Sequence, residues 1–460
     1  MTNALNVLLL DGLNTKLMNQ VYARAEMVKF LQKLPPNQPV AVYALGTKLW
    51  LLQDFTTDPT LLQRVINEKK MTSPLLPDSQ SFYPPSVVEQ MPSYMQQQVK
   101  QFEEDTVSYN TDFRVRLTLD ALKALAHALS GYPGRKNLIW LSESFPFNIF
   151  PDVDAASVAA GGDWSAVRDY SRDVMRTADI LTDAQVAVYP VDARGLVGGY
   201  SVANNMGTSM RGAVGGMNPD LNGVTESHGT MKELAGRTGG RAFYNRNDLD
   251  TAVLTSIEDG STYYTLAYYP ENKDWNGKFR KIRIKTNRAG VKLRHRFGFF
   301  ATDPQTYAGL DSGVKAKEFG EALSLDFPGS TDLRFQATVL QPSDATKNKF
   351  VLRYAIDAHA ISFETQGDGL QRAKVDCAMI AYSNKGKQVK SDSHGMTVAL
   401  PPEVYKQVMQ RGFPCEESFD LPAGDYVLRM GVRDGRSGLI GTTTGSVTVA
   451  PAVAPEPEKK

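Results

Sequence analysis

The side chains able to do chemistry are few and scattered. Five histidines occur, at His127, His228, His295, His359 and His394. His127 lies between two alanines on a helical stretch and reads as a packed or surface residue. His228 follows an irregular stretch and precedes a helical one, where helix-cap chemistry explains it better than catalysis. No G-x-S-x-G, P-loop lysine motif, H-E-x-x-H or C-x-x-C is present, so the common nucleophile, phosphate and zinc signatures are missing. Gly212, Gly215 and Gly216 make no dinucleotide fingerprint, because no strand leads into them. Glu103-Glu104 reads as solvated charge. Tyr263-Tyr264 and Tyr268-Tyr269 suggest stacking on a sugar or base, but neighbours in a strand face opposite ways, which favours packing near a sheet edge. Cys377, on a strand, and Cys415, in a loop, are 38 residues apart. In an exported protein they form a disulfide that stabilises by about 3–4 kcal/mol, and in the cytosol both stay free thiols.

Composition bounds the rest. The 460 residues carry 51 Lys+Arg against 50 Asp+Glu, a formal charge of +1, which argues against a nucleic-acid or polyanion binder. A hydrophobic fraction of 42% with 22% charged residues is globular usage and excludes a wholly disordered chain. No apolar run has the roughly 18–20 residues that span a bilayer. Met1-Thr2-Asn3 leads straight into the apolar run Val7–Leu10, which reads as a buried strand, since a basic n-region and a cleavage site are missing. The protein is therefore expected to be periplasmic or secreted if a signal peptide has been trimmed, and cytoplasmic otherwise.

The elements that must position these residues follow from periodicity. Val7–Leu10, Val40–Leu45, Asn137–Leu141 and Val186–Val191 are short apolar runs that read as buried strands, with Leu49–Leu52 as a hairpin partner. Ala23, Met27, Phe30 and Leu34 recur at helical steps until Pro35-Pro36. A further helix opens at Asp58-Pro59, and others run over Val115–Leu129, Trp164–Ala184, Met231–Arg237 and Asp248–Glu258, with a strand at Arg241–Tyr244. Residues 71–110 and 195–227 read as irregular insertions. Strand and helix alternating in this way imply an α/β fold with a doubly wound, mostly parallel sheet. Thr262–Tyr269, Phe279–Thr286 and Val291–Arg296 are expected to extend that sheet antiparallel at one edge. Domain boundaries are expected at 1–301, a linker at 302–327, an all-β sandwich at 328–450 and a disordered tail at 451–460. The sandwich reads from Phe335–Leu340, Lys349–Ala358, Gln371–Ser383, Gly395–Leu400, Gly424–Asp434 and Ile440–Val449, with one helix at Pro402–Arg411.

Several runs in the first 300 residues resemble the von Willebrand factor type A fold, in particular the VWFA-related branch described from acidobacteria. They are Leu8–Thr15, Gln53–Asp58, Gly134–Ser142, Asp183–Asp192 and Gly239–Asn245, in the expected order over about two-thirds of the chain. The C-terminal third resembles the bacterial immunoglobulin-like sandwich. The resemblance implies a divalent cation, Mg²⁺, at the carboxyl ends of the central strands, held by D-x-S-x-S, a middle-loop Thr and a later Asp. Asp11 stands in the first position, Thr15 in that of the second Ser, and Glu143 roughly where the later Asp is expected. Leu13 replaces the first Ser and cannot ligate. Thr111 and Thr118 are both near the middle Thr, and Asn14 is a further oxygen donor. The competing reading has Asp11 capping the strand end and Asn14 or Thr15 capping the next helix.

Two functions from different classes follow. One is a non-enzymatic protein-protein interaction or adhesion module that binds its partner at the carboxyl edge, through a degenerate cation site if that site is active. A purely structural envelope component differs from it only in partner. The other is a hydrolase-type enzyme using Asp11, Glu143, Asp192 and His228.

Overall fold

Unbroken apolar runs become strands buried on both faces, the signature of a parallel sheet covered by helices. β1 (Leu5–Asp11) is buried after its first residue, and β2 (Val40–Leu45) throughout. β3 (Leu49–Thr56) folds back on β2, while β4 (Lys136–Ser142) and β5 (Val186–Asp192) are buried over their full length. The sheet order is β3-β2-β1-β4-β5, with β3 antiparallel to β2 and the other pairings parallel. The chain reverses its direction of travel across the sheet between β1 and β4, which opens a crevice at their carboxyl ends.

The computed structural model describes residues 4–68, 83–145, 170–196, 219–266, 268–276, 278–291, 293–301, 307, 309–342 and 349–450. The chain divides into two units: 1–123, 134–272 and 279–300 in the first, and 124–133, 273–278 and 301–460 in the second. In the first, the main helices are α1 (Leu17–Gln32), α2 (Pro59–Glu68), α3 (Ser93–Ser130), α4 (Ser171–Asp183), α5 (Pro219–Thr238) and α6 (Leu249–Ser261). Met27, Phe30, Leu62 and Val253 from α1, α2 and α6 share one core with Leu8, Leu10, Val42 and Tyr189 of the sheet. Among the described residues no helix is long and apolar enough to cross a membrane.

Three expectations for this unit are corrected. Residues 93–110 are helix, because Gln, Glu and Lys sustain a helix without an apolar stripe. Residues 219–227 are likewise helical rather than insertion. The parts of the two expected insertions at 71–82 and 197–218, and the start of the expected helix at 164–169, lie outside the described residues.

The third correction concerns the sheet edge. Among the described residues Thr262–Tyr269 and Val291–Arg296 form no strand, and β6 (Phe279–Lys281) pairs only with β7 (Gly298–Phe300). The outer edge of β5 is already occupied. Val188 N–H donates to the Thr238 hydroxyl at 2.9 Å, and Phe243 exchanges backbone bonds with Pro190 and Asp192, each 2.8 Å. Phe243 makes a single bridge to Val191, so Arg241–Tyr244 is not a full strand. Gly240 permits this passage, since a Cβ there would stand 1.9 Å from the Val188 carbonyl oxygen. Tyr264 and Tyr269 are correspondingly 89% and 98% exposed rather than packed in a sheet.

Among the described residues the second unit holds the end of α3 (residues 124–130), α7 (Ser312–Ala322), α8 (Pro402–Arg411) and a 3-10 turn at Ala358–Ala360, and its remaining regular structure is β. One sheet holds β8 (Phe335–Leu340), β9 (Phe350–Ile356) and β13 (Phe413–Phe419), in the order β13-β9-β8. The other holds β10 (Glu364–Thr365), β11 (Gln371–Ser383), β12 (Gln388–Leu400), β14 (Gly424–Asp434) and β15 (Ile440–Val449). Leu352, Ile356 and Phe413 of the first sheet share a core with Val375, Met379 and Leu428 of the second, which makes a sandwich. Within 302–327, expected as a linker, α7 packs Phe319 and Leu323 against Ala378 and Ile440 of this unit. The expected disordered tail at 451–460 lies outside the described residues.

Cys377 on β11 and Cys415 on β13 are bonded, joining the two sheets through the core. Cys415 is thus on a strand, not in a loop. That strand also carries Glu417, whose carboxylate accepts the Tyr354 hydroxyl at 2.6 Å and whose Oε2 has no partner. Burial pushes the Glu417 carboxyl up to about 7 against the Tyr354 hydrogen bond.

Two predictions follow from this packing. Reduction, or Cys377→Ser, is expected to lower the urea-unfolding free energy by about 3–4 kcal/mol. Glu417 has a folded pKa above its unfolded value, so its stabilising contribution is complete below about pH 4.5 and disappears as pH rises through about 7. The stability of Glu417→Gln relative to wild type should therefore grow by about 3 kcal/mol between pH 4.5 and 8, read by urea unfolding at each pH.

Candidate functional site

Strand β1 delivers Asp11 to the crevice as a carboxylate with almost no access to water. Its side chain is solvated by neutral N–H groups. Asn14 N donates to Oδ1 at 2.9 Å, and Asn14 Nδ2 and Trp140 Nε1 donate to Oδ2 at 2.9 and 3.0 Å. Among the described residues no Lys, Arg or His pairs with Asp11. Burial accordingly pushes its carboxyl above the usual range, opposed by hydrogen bonds from Asn14, Ser142 and Trp140. Asn14 Nδ2 also donates to Thr118 Oγ1 at 2.8 Å, which ties α3 to the loop, while Asn14 Oδ1 is buried without a partner.

The loop after Asn14 is held from β4. Glu143 N donates to Thr15 Oγ1 at 3.1 Å, and Glu143 Oε2 accepts Lys16 N at 2.7 Å. A carboxylate from just beyond the end of β4 thus meets the positive start of α1. The expected cap by Asn14 or Thr15 is not made. Lys16 is the N-cap without a side-chain bond, and Asn14 turns to Asp11 instead. Gln20 Nε2 closes the loop by donating to the Gly12 and Thr15 carbonyls at 3.1 and 2.7 Å.

The structure therefore brings Asp11, Thr15 and Glu143 into one hydrogen-bonded loop cluster, but their donor set does not fit a divalent cation. Mg²⁺ needs near-octahedral oxygens free to ligate. Here both Asp11 oxygens, the Thr15 hydroxyl and Glu143 Oε2 already accept N–H groups, and Leu13 offers no side-chain oxygen. Among the described residues no three His, Cys, Asp or Glu side chains gather to hold a metal ion.

A second cluster lies at the end of β5. Arg194 grips the buried Asp192 carboxylate with Nε and Nη2, at 2.9 and 2.7 Å, and His228 Nε2 is 2.9 Å from Asp192 Oδ2. Burial alone would raise the Asp192 pKa, but the His228 and Arg194 hydrogen bonds hold it below the usual carboxylate range. His228 lies within α5 rather than at its cap and stacks on Tyr244 with ring centroids 4.3 Å apart. The nearby Ser227 hydroxyl accepts Phe145 N at 3.2 Å. A carboxylate-histidine pair is present, yet no hydroxyl or thiol among the described residues is bonded to the imidazole as a nucleophile would be.

Sequence reasoning found Asp11, Thr15 and Glu143 but missed Trp140 and Arg194. Trp140 carries a readable signal, since a tryptophan in a fully buried strand must find an acceptor for its indole N–H.

No known protein-family profile and no curated protein matches the chain. Among solved structures it is similar to the vWF domain of the type V pili tip protein Mfa5 from Porphyromonas gingivalis, at 10% identity and a TM-score of 0.32, covering 58% of this chain and 99% of that one. It is also similar to a von Willebrand factor type A protein from Catenulispora acidiphila, at 7% identity and a TM-score of 0.27, over 98% of this chain and 66% of that one. An aerotolerance-related membrane protein from Bacteroides fragilis matches at 11% identity and a TM-score of 0.28, over 55% and 98%. These values are too low to transfer a function. The sheet order and the aspartate at the carboxyl end of β1 put the first unit in the doubly wound class that the resemblance implied.

Trp140→Phe deletes one of the two donors on Asp11 Oδ2. It is expected to cost about 2–3 kcal/mol in urea unfolding. The loss should be larger at pH 8 than at pH 4, because the missing donor matters most to the ionised carboxylate.

Proposed function

We propose that the chain is a non-enzymatic protein-binding module whose partner docks, without a bridging metal, at the carboxyl edge of the parallel sheet. One observation carries this reading. Directly after the Asp11–Lys16 loop, the first turns of α1 expose Leu17, Met18 and Val21 at 68%, 82% and 62%. Contiguous apolar surface beside a rigid, hydrogen-bonded loop suits a protein partner. Leu196, after the Asp192 cluster, adds a further exposed apolar side chain.

The bonded Cys377–Cys415 pair supports an oxidising compartment, hence export. The hydrolase reading keeps one observation in its favour, the contact between Asp192 and His228.

The tests separate these readings. Saturating Mg²⁺ or Mn²⁺ should leave the melting temperature unchanged within about 1 °C, whereas a rise abolished by Asp11→Ala would restore the cation-dependent version. Replacing Leu17, Met18 and Val21 together by Ser should abolish capture of the partner found by cross-linking in the native host, with the melting temperature kept. Broad hydrolase and phosphatase screening should find nothing, and activity lost in Asp11→Asn or His228→Ala would overturn the reading.

A further inference from the structure

The second unit has a cavity of about 660 Å³ whose lining includes Arg334, Phe335, Gln336, His359, Met409 and Arg411. It opens at the start of β8, the last strand of its sheet. Asp357 N donates to the Arg334 carbonyl at 2.9 Å, in register with Phe335 opposite Ile356. Arg334 and Asp357 are therefore a hydrogen-bonded pair, and antiparallel alternation turns the backbone groups of Phe335, Ala337 and Val339 away from β9. Just before them the same edge is used, since Leu333 N donates to the Ile440 carbonyl at 3.2 Å. Beyond Leu333 that pairing stops. Among the described residues nothing bonds the outward backbone groups of Phe335, Ala337 and Val339.

The two edges of this sheet are treated differently. Ala355 directs its backbone bonds at Gln336, so Pro414, opposite Ala355 on β13, faces outward and removes the N–H that this position would offer at that edge. Glu416 adds charge there. β8, Phe-Gln-Ala-Thr-Val-Leu, has neither proline nor charge, the usual guards against strand addition. Beside it, Arg334 and Arg411 are exposed, and among the described residues neither guanidinium has a hydrogen-bond or ion-pair partner.

We propose that this edge takes an extended, acidic segment of a partner protein as a fourth strand. Its backbone pairs with Phe335, Ala337 and Val339, and its carboxylates meet Arg334 and Arg411. A second copy of the chain is the poorer occupant, because residues 335–340 carry no carboxylate and would leave both arginines unpaired. A small anion would satisfy the arginines and leave the backbone row open.

The probe is a fluorescein-labelled peptide of alternating valine and glutamate, titrated by anisotropy against the full chain, with a valine-lysine peptide as control. The acidic peptide alone should bind, less tightly as salt rises. Ala337→Pro removes an outward N–H without touching the β8–β9 ladder, and Arg334→Glu with Arg411→Glu inverts two exposed charges. Each should weaken binding by at least about tenfold. The arginine variants, which change only exposed side chains, keep the test valid if Ala337→Pro does not fold. No binding at millimolar peptide, equal binding of the lysine peptide, or indifference to the arginine changes would overturn the proposal. Loss in the arginine variants alone, with folded Ala337→Pro binding normally, would point to a small-anion site instead. A dimer by light scattering that Ala337→Pro dissolves would assign the edge to a second copy.

Discussion

A carboxylate that ends the central strand of a buried parallel sheet has lost its water and must find other donors. In this protein Asp11 takes them from the chain itself: two from Asn14 in the following loop and one from Trp140 on the neighbouring strand. That single requirement organises the carboxyl edge. Asn14 turns inward, which brings Thr118 of α3 into the network and leaves the start of α1 without a side-chain cap of its own. Glu143 then crosses from β4 to take the Lys16 N–H. The loop is rigid because each of these bonds satisfies a buried group that would otherwise be stranded.

The geometry also explains why a site that resembles a cation centre is better described as a hydrogen-bonded lock. Three neutral donors delocalise the burden of one buried charge but contribute none to offset it, so the Asp11 carboxyl remains above its usual pKa. Asp192, two strands away, shows the opposite solution. Arg194 grips it on both oxygens, His228 approaches its Oδ2, and its pKa falls. One sheet edge thus holds two buried carboxylates in different electrostatic states, and the apolar start of α1 projects beside the first of them.

Much of the architecture was legible because hydrophobic periodicity is local. Phe335–Leu340, Gln371–Ser383, Pro402–Arg411 and Gly424–Asp434 were read with the bounds they have in the structure. The failures have physical causes. Phe413–Phe419 alternates correctly, yet one of its inward positions is Glu417, so its pattern reads as polar loop. Ser93–Asn110 is helix without a continuous buried stripe, and only backbone propensity marks it. The tyrosine-rich stretch after Gly260 looks like an edge strand, but Thr238 and Phe243 reach the edge of β5 first.

The sequence by itself determined the alternation of strands and helices, the doubly wound class, and the arrival of Asp11, Glu143 and Asp192 at strand ends. Those properties depend on neighbours a few residues apart. Two of the donors to Asp11 are local, from Asn14, but the third and the contact that orients the Asn14 amide were decided only by tertiary structure, because Trp140 lies 129 residues from Asp11 and Thr118 lies 104 from Asn14. Whether a carboxylate becomes a metal ligand or a hydrogen-bond acceptor depends on which donors reach it first, and here they come from Asn14 in the following loop and Trp140 on β4, with Thr118 of α3 holding the Asn14 amide in place. The same holds for the open edge of β8. Its residues announce a strand, but only the sheet order shows that, among the described residues, no strand pairs with its outer side.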